Sequence, residues 1–134
     1  MTNIAASIAT SDIPDWCHLE ALGTDYDPTH MPSAEEYARM FAASPIAHIS
    51  RVKTPLLMLL GGADKRVHPS QGTDYIKLLK ARGVQTRTLL YPDGQHSISE
   101  TPAMEGDVWC SMVQWALKRF DGAEFSVVGE QAAQ

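Results

Sequence analysis

One stretch constrains this chain more than any other: Leu-Leu-Met-Leu-Leu at 56–60, opened by Thr54-Pro55 and closed by Gly61-Gly62. An apolar run of this length between two breakers reads as a strand buried on both faces. Such a strand needs neighbours at its edges and a layer over each face. Thr86 to Tyr91 supplies one neighbour, a second strand rich in Thr and Leu and stopped by Pro92-Asp93-Gly94. Between them a helix is expected from about Ser70 to Arg82, with Tyr75, Leu78 and Leu79 on one side and Gly83 as the residue that ends it. A last helix is expected from about Ala103 to Phe120, its apolar face formed by Met104, Val108, Met112, Trp115 and Ala116. Strand, helix, strand, helix implies an α/β architecture with parallel strands flanked by helices. Two strands, however, do not make an independently stable sheet. Either more strands exist than the pattern shows, or the segment belongs to a larger domain.

The region before the strand is less regular. Ser33 and Glu36 form a capping box, and Tyr37, Met40 and Phe41 behind it lie on one helical face. Ser44-Pro45 ends that helix, because a residue before proline avoids the α region. Residues 1–32 read as irregular, with Asp12-Ile13-Pro14-Asp15 and Asp27-Pro28 as breakers. Residues 121–134 read as a frayed tail. The expected organisation is therefore one segment over 1–120 and a tail over 121–134.

Composition excludes several functions. Lys plus Arg is 11 and Asp plus Glu is 16, a net charge of −5, and no basic run exists to contact phosphates, so nucleic acid is not an expected partner. The longest apolar stretch falls far short of the roughly 18 residues of a membrane span, and the N-terminus lacks the basic and apolar regions of a signal peptide. Two cysteines, Cys17 and Cys110, make no disulfide framework and read as reduced thiols of a cytoplasmic protein. The five histidines show no metal-ligand spacing, and neither a metal nor a cofactor is expected.

In open parallel sheets functional groups gather at the carboxyl ends of the strands. Asp64 follows the first strand and His96 the second, 96 − 64 = 32 residues apart, about one βαβ unit. Neighbouring strands lie roughly 5 Å apart, so an Asp–His hydrogen bond is geometrically natural. That pair is the acid and base of a nucleophile–His–Asp triad. The bland reading of the same residues is turn chemistry after Gly-Gly and a loop histidine after Pro-Asp-Gly. A triad also needs a nucleophile, and no Gly-x-Ser-x-Gly elbow occurs in the sequence. Cys17 has the right chain order but no strand leading into it and no glycine for a sharp turn, so it reads as a buried structural thiol.

Ser44-Pro45-Ile46, Val52-Lys53-Thr54-Pro55-Leu56-Leu57, Gly61-x-x-Asp64-x-Arg66-Val67, Gln71-Gly72, Leu90-Tyr91-Pro92 and His96, in that order and spacing, resemble the C-terminal end of the prolyl oligopeptidase family of serine peptidases. Ser11-Asp12-Ile13-Pro14-Asp15-Trp16-Cys17 is similar to one branch of that family, whose members release an N-acylated residue from a blocked peptide. The resemblance implies the C-terminal portion of an α/β-hydrolase fold, with Asp64 as triad acid and His96 as triad base. It implies that the nucleophile, the oxyanion hole and a β-propeller lie upstream, so that the partners of this segment are those upstream segments and, in their context, an N-acylated peptide. It further implies a cytoplasmic protein. Separately, an unpaired apolar edge along the strand at 56–60 invites pairing with another chain, so self-association is expected. Two functional readings follow. One is a hydrolase segment, inactive alone for want of a nucleophile. The other is a non-catalytic α/β interaction module that keeps Asp64 and His96 by descent.

Overall fold

The computed structural model describes residues 1–119, and the expected tail at 121–134 lies outside them. Strand β1 (Leu56–Gly61) pairs in parallel with β2 (Thr86–Tyr91), Leu56 against Thr86 and so on to Gly61 against Tyr91. Helix α4 (Ser70–Ala81) connects them, and α5 (Pro102–Leu117) follows β2. Gly83, at φ +76°, lets the end of α4 close as a Schellman turn: its N–H donates to the Lys80 carbonyl and the Val84 N–H to the Leu79 carbonyl.

The two helices lie on opposite faces of the strand pair. Leu60 packs against Gly72 of α4, while the Tyr91 hydroxyl donates to Asp107 of α5 at 2.7 Å. Leu60 and Tyr91 belong to alternate register positions, and alternate residues of a strand face opposite ways. The inward face of α4 is Gly72, Tyr75, Ile76 and Leu79, which corrects one expectation: Leu78 is exposed and Ile76 is buried. Both residues stand at helical spacing from Tyr75 and Leu79. The close approach of Leu60 at Gly72 rotates the face toward Ile76.

The N-terminal region holds more helix than the sequence suggests. Two short helices, α1 (Ile4–Ser7) and α2 (Pro14–Leu22), occupy part of the stretch expected to be irregular. Pro14 acts as a helix opener: it stands in the first turn of α2, where a missing N–H costs nothing. Gly23, at φ +70°, closes that helix. The capping box forms as expected at the start of α3 (Ala34–Ala42), with Ser33 and Glu36 satisfying each other's backbone. Pro45 both stops α3 and opens a 3-10 helix over Pro45–Arg51.

Burial is uneven. Met40 and Leu79 are fully buried, and Cys17, Leu22, Leu60, Tyr75 and Ile76 complete the core. The strand expected to be covered on both faces is only half-buried from Leu56 to Leu59, and Leu90 of β2 is 58% exposed. The reason is the size of the sheet. Among the described residues each strand has one neighbour, and the outer edge of β1 is unpaired. No helix among the described residues is long and apolar enough to cross a membrane.

Candidate active site

Gly61 and Gly62 determine how the two strand ends meet. A Cβ on Gly61 would run into the Gln95 and Gly94 carbonyl oxygens, and one on Gly62 would meet the Pro92 carbonyl oxygen at 2.5 Å. Without side chains, the backbone after β1 packs directly on the 92–96 loop. Gly62 N–H donates to the Tyr91 carbonyl at 2.7 Å and Ala63 N–H to the Gly94 carbonyl at 2.9 Å. This seam lays His96 beside Asp64. The glycine pair reads in the sequence as a strand stop; two consecutive glycines also signal close backbone approach.

Asp64 is fixed from both sides. Its Oδ1 accepts from the backbone N–H groups of Arg66 and Val67 at 2.8 and 2.9 Å, and its Oδ2 accepts from His96 Nδ1 at 2.9 Å. Burial of the carboxyl opposes its charge and is the largest single influence, but the bonds from Val67, His96 and Arg66 together outweigh it. The group is held below the usual carboxylate range. Only 10% of the Asp64 side chain is exposed, against 53% for His96. An ionised carboxylate only accepts, so the shared proton sits on Nδ1 and leaves the lone pair on Nε2. Nε2 makes no hydrogen bond among the described residues. The pair is therefore an oriented imidazole with an open basic nitrogen.

Two hollows meet at this pair. A cleft of about 440 Å³ is lined by Asp12, Ala63 to Arg66, and Gln95 to Ser97. A smaller hollow of about 200 Å³ reaches behind it toward Met58, Leu60 and Met1, and Asp64 and His96 line both. The stretch before α2, an N-terminal strap over residues 1–13, reaches the cleft too: Asp12 N–H donates to the Lys65 carbonyl at 3.0 Å, and Arg66 Nε donates to Asp12 Oδ1 at 3.4 Å. No pattern in the sequence points to that contact, which joins residues far apart in the chain. Nor does the sequence flag Ile98, at φ +51°, in a left-handed conformation that β-branched residues rarely adopt.

Cys17 lies on α2, buried beside Met1, and burial pushes its thiol up, away from the thiolate a nucleophile needs. It lines neither hollow at the Asp–His pair. Among the other histidines, His18 is buried against Tyr26 and the Thr24 carbonyl, His30 bonds Glu36, and His68 bonds Ser70. Among the described residues no group of three or more His, Cys, Asp or Glu side chains is arranged to hold a metal.

Comparison with known proteins adds to this geometry. The model of the prolyl oligopeptidase family matches residues 5–123. Acylamino-acid-releasing enzyme of Arabidopsis thaliana is 41% identical over 116 residues, 87% of this chain, and that of Sus scrofa is 44% identical over 113 residues, 84% of this chain. Acylamino-acid-releasing enzyme 2 of Oryza sativa subsp. japonica is 46% identical over 118 residues, 87% of this chain. The chain spans 15% of the length of each of these relatives. Among solved structures, Pyrococcus horikoshii acylaminoacyl peptidase superposes with a TM-score of 0.67 at 24% identity, over 86% of this chain and 18% of that one. The shared fold is that of an α/β hydrolase, with this chain's parallel strands and flanking helices as one portion of it.

Proposed function

The chain belongs to the prolyl oligopeptidase family of serine peptidases, and from that premise we propose that it forms the C-terminal part of a hydrolase domain that releases N-acylated amino acids from blocked peptides. The observation that carries this reading is the 2.9 Å bond from His96 Nδ1 to Asp64 at the carboxyl ends of adjacent parallel strands. Asp64 fixes the tautomer and stabilises the imidazolium. His96 Nε2 takes the proton of a serine nucleophile and returns it to the leaving amine. That serine, and the N–H groups that stabilise the oxyanion, come from hydrolase sequence outside these 134 residues, since no Gly-x-Ser-x-Gly elbow lies within them. The unpaired outer edge of β1 is where the rest of the sheet joins, or, in its absence, where copies of this chain self-associate. The two unpaired thiols suit a reducing, cytoplasmic setting.

The second reading, a non-catalytic interaction module, draws on the same unpaired edge and the same missing elbow. One experiment separates the two. The purified chain is assayed with a chromogenic acetyl-alanyl substrate, alone and after co-expression with the complementary hydrolase segment of the rice relative. Turnover is expected only in the co-expressed sample, is abolished by His96→Ala, and falls by about 10⁴ with Asp64→Asn, as a triad requires. Turnover that survives His96→Ala would sink the assigned role, and association without any turnover favours the module. Turnover by the chain alone would mean a nucleophile within it.

A further inference from the structure

Three of the described residues stand at positive φ. Two are glycines, Gly23 and Gly83, each closing a helix. The third is Ile98, at φ +51°, two residues after His96. For a β-branched residue this backbone costs on the order of tenfold in the folding equilibrium, a cost that glycine avoids. Such a conformation persists only where its surroundings over-determine it. Two contacts do so here. The Ile98 side chain lies over Gly94, where an added Cβ would stand 3.3 Å from Ile98 Cγ2. Beyond Ile98 the chain turns back, and Glu100 Oε1 accepts the Gln95 N–H at 2.8 Å.

Both contacts bear on the Asp–His pair. Half-buried Ile98 lines the smaller hollow together with Asp64 and His96. Gly94, on which it rests, accepts the Ala63 N–H at 2.9 Å, one residue before Asp64. His96 therefore sits between two fixed points, the Gln95 N–H on one side and the Ile98 side chain on the other. Its own ring is 53% exposed, so packing around the ring does little to aim it. The backbone on either side has to set where Nδ1 points.

We propose that Ile98 is a positioning residue for His96: its left-handed backbone and its side chain, tied by Glu100, hold the 94–100 loop so that Nδ1 stays on Asp64 and Nε2 stays free. The role rests on the function proposed for His96, but its test needs no turnover. The whole chain is labelled with 15N-histidine and observed at about pH 9, above the ordinary histidine value of roughly 6.5. The nitrogen shifts then read which ring atom carries the proton, and the His96 signals are those missing from His96→Ala. The native chain is expected to hold the proton on Nδ1. Ile98→Gly, which frees the backbone and removes the side chain, is expected to give the mixed signals of an unheld imidazole. Ile98→Val, which keeps Cγ2, retains the native signals. Glu100→Ala shifts them in the direction of Ile98→Gly, and Glu100→Gln, which keeps an acceptor oxygen, does not. Circular dichroism melts check that each variant folds; Ile98→Asn, which also tolerates positive φ, takes the place of a glycine variant that does not. In the co-expressed hydrolase, Ile98→Gly lowers kcat about 10–100-fold with KM unchanged. A folded Ile98→Gly or Ile98→Asn chain that keeps the His96 proton on Nδ1 overturns the proposal, because a residue acting on stability alone leaves the tautomer in place; the catalytic reading then stands. A native chain without a fixed Nδ1 proton overturns both. The expected tautomer changes, with no turnover by the native co-expressed hydrolase, support the positioning and count against the catalytic reading alone.

Discussion

Helices α4 and α5 lie against the same two strands, yet they are built in opposite ways. α4 is the more polar in sequence and buries Gln71, Gly72, Tyr75, Ile76 and Leu79. α5 is longer and far more apolar, and Ser111 is its one buried residue. Apolar content therefore does not predict burial here. What separates the two is company. α4 is enclosed by β1, β2, the 3-10 helix and the N-terminal strap. At its start Gln71 Oε1 accepts the backbone N–H groups of Thr2 and Asn3 at 3.1 and 2.7 Å, while its carbonyl accepts the Thr2 hydroxyl at 2.6 Å. Among the described residues, α5 has the strand pair on one side and nothing packed on the other.

The largest test of this contrast is Leu79→Ala. Leu79 is fully buried, so its truncation removes packing and leaves a cavity, a loss of about 2–5 kcal/mol in urea denaturation. Trp109→Ala, measured on dilute protein, is expected to stay within about 0.5 kcal/mol despite removing a larger side chain. Equal losses at the two sites would end the distinction.

Gly61→Ala comes next, at roughly 1–3 kcal/mol, because the added methyl meets backbone carbonyls that cannot turn aside. It should also separate Asp64 from His96, seen as loss of the Nδ1–H proton resonance. Retention of that resonance would mean the glycine seam does not position the pair. Gln71→Ala is expected to cost about 1–3 kcal/mol, since it removes a buried side chain that accepts the half-buried Thr2 and Asn3 N–H groups. The same change at the exposed Gln114 of α5 should be nearly neutral.

The smallest effect is one of pH. Asp64 and Glu36 both have lowered values in the folded chain; Glu36 reaches about 2 through His30, the Ser33 N–H and the Ser33 hydroxyl. A lowered carboxyl stabilises the fold at pH above its unfolded value and loses that contribution as pH falls through its folded value. For Glu36 the window runs from 4.5 down to about 2. Urea midpoints should decline across this range, and Asp64→Asn with Glu36→Gln should flatten the decline. An unchanged slope in the double variant would assign acid sensitivity to other groups.

Much of the fold is legible in local sequence signals. The run at 56–60 with its flanking proline and glycines marks β1, the Thr and Leu of 86–91 mark β2, and Ser33 with Glu36 marks the start of α3. Each of these signals depends on backbone geometry within a few residues. The placement of Asp64 and His96 side by side also follows, because two strands joined by one helix bring their carboxyl ends to the same edge. Pro14 shows where local reading stops: the same residue can break a helix or open one, and packing of α2 against α1 and α3 decides it.

Local signals suffice for β1, α4, β2, α5 and the start of α3, and for the chemistry available to the pair, through apolar runs, caps and the types of residue at strand ends. The two short N-terminal helices and the identity of the core residues depend on packing. Ile76 or Leu78, and either side of α5, satisfy the helical period equally well. The choice rests on what lies across from them, and periodicity carries no information about a neighbour's shape. The same holds for the site: Gly61 matters because the 92–96 loop comes to rest on it, a contact formed only once both strands are paired.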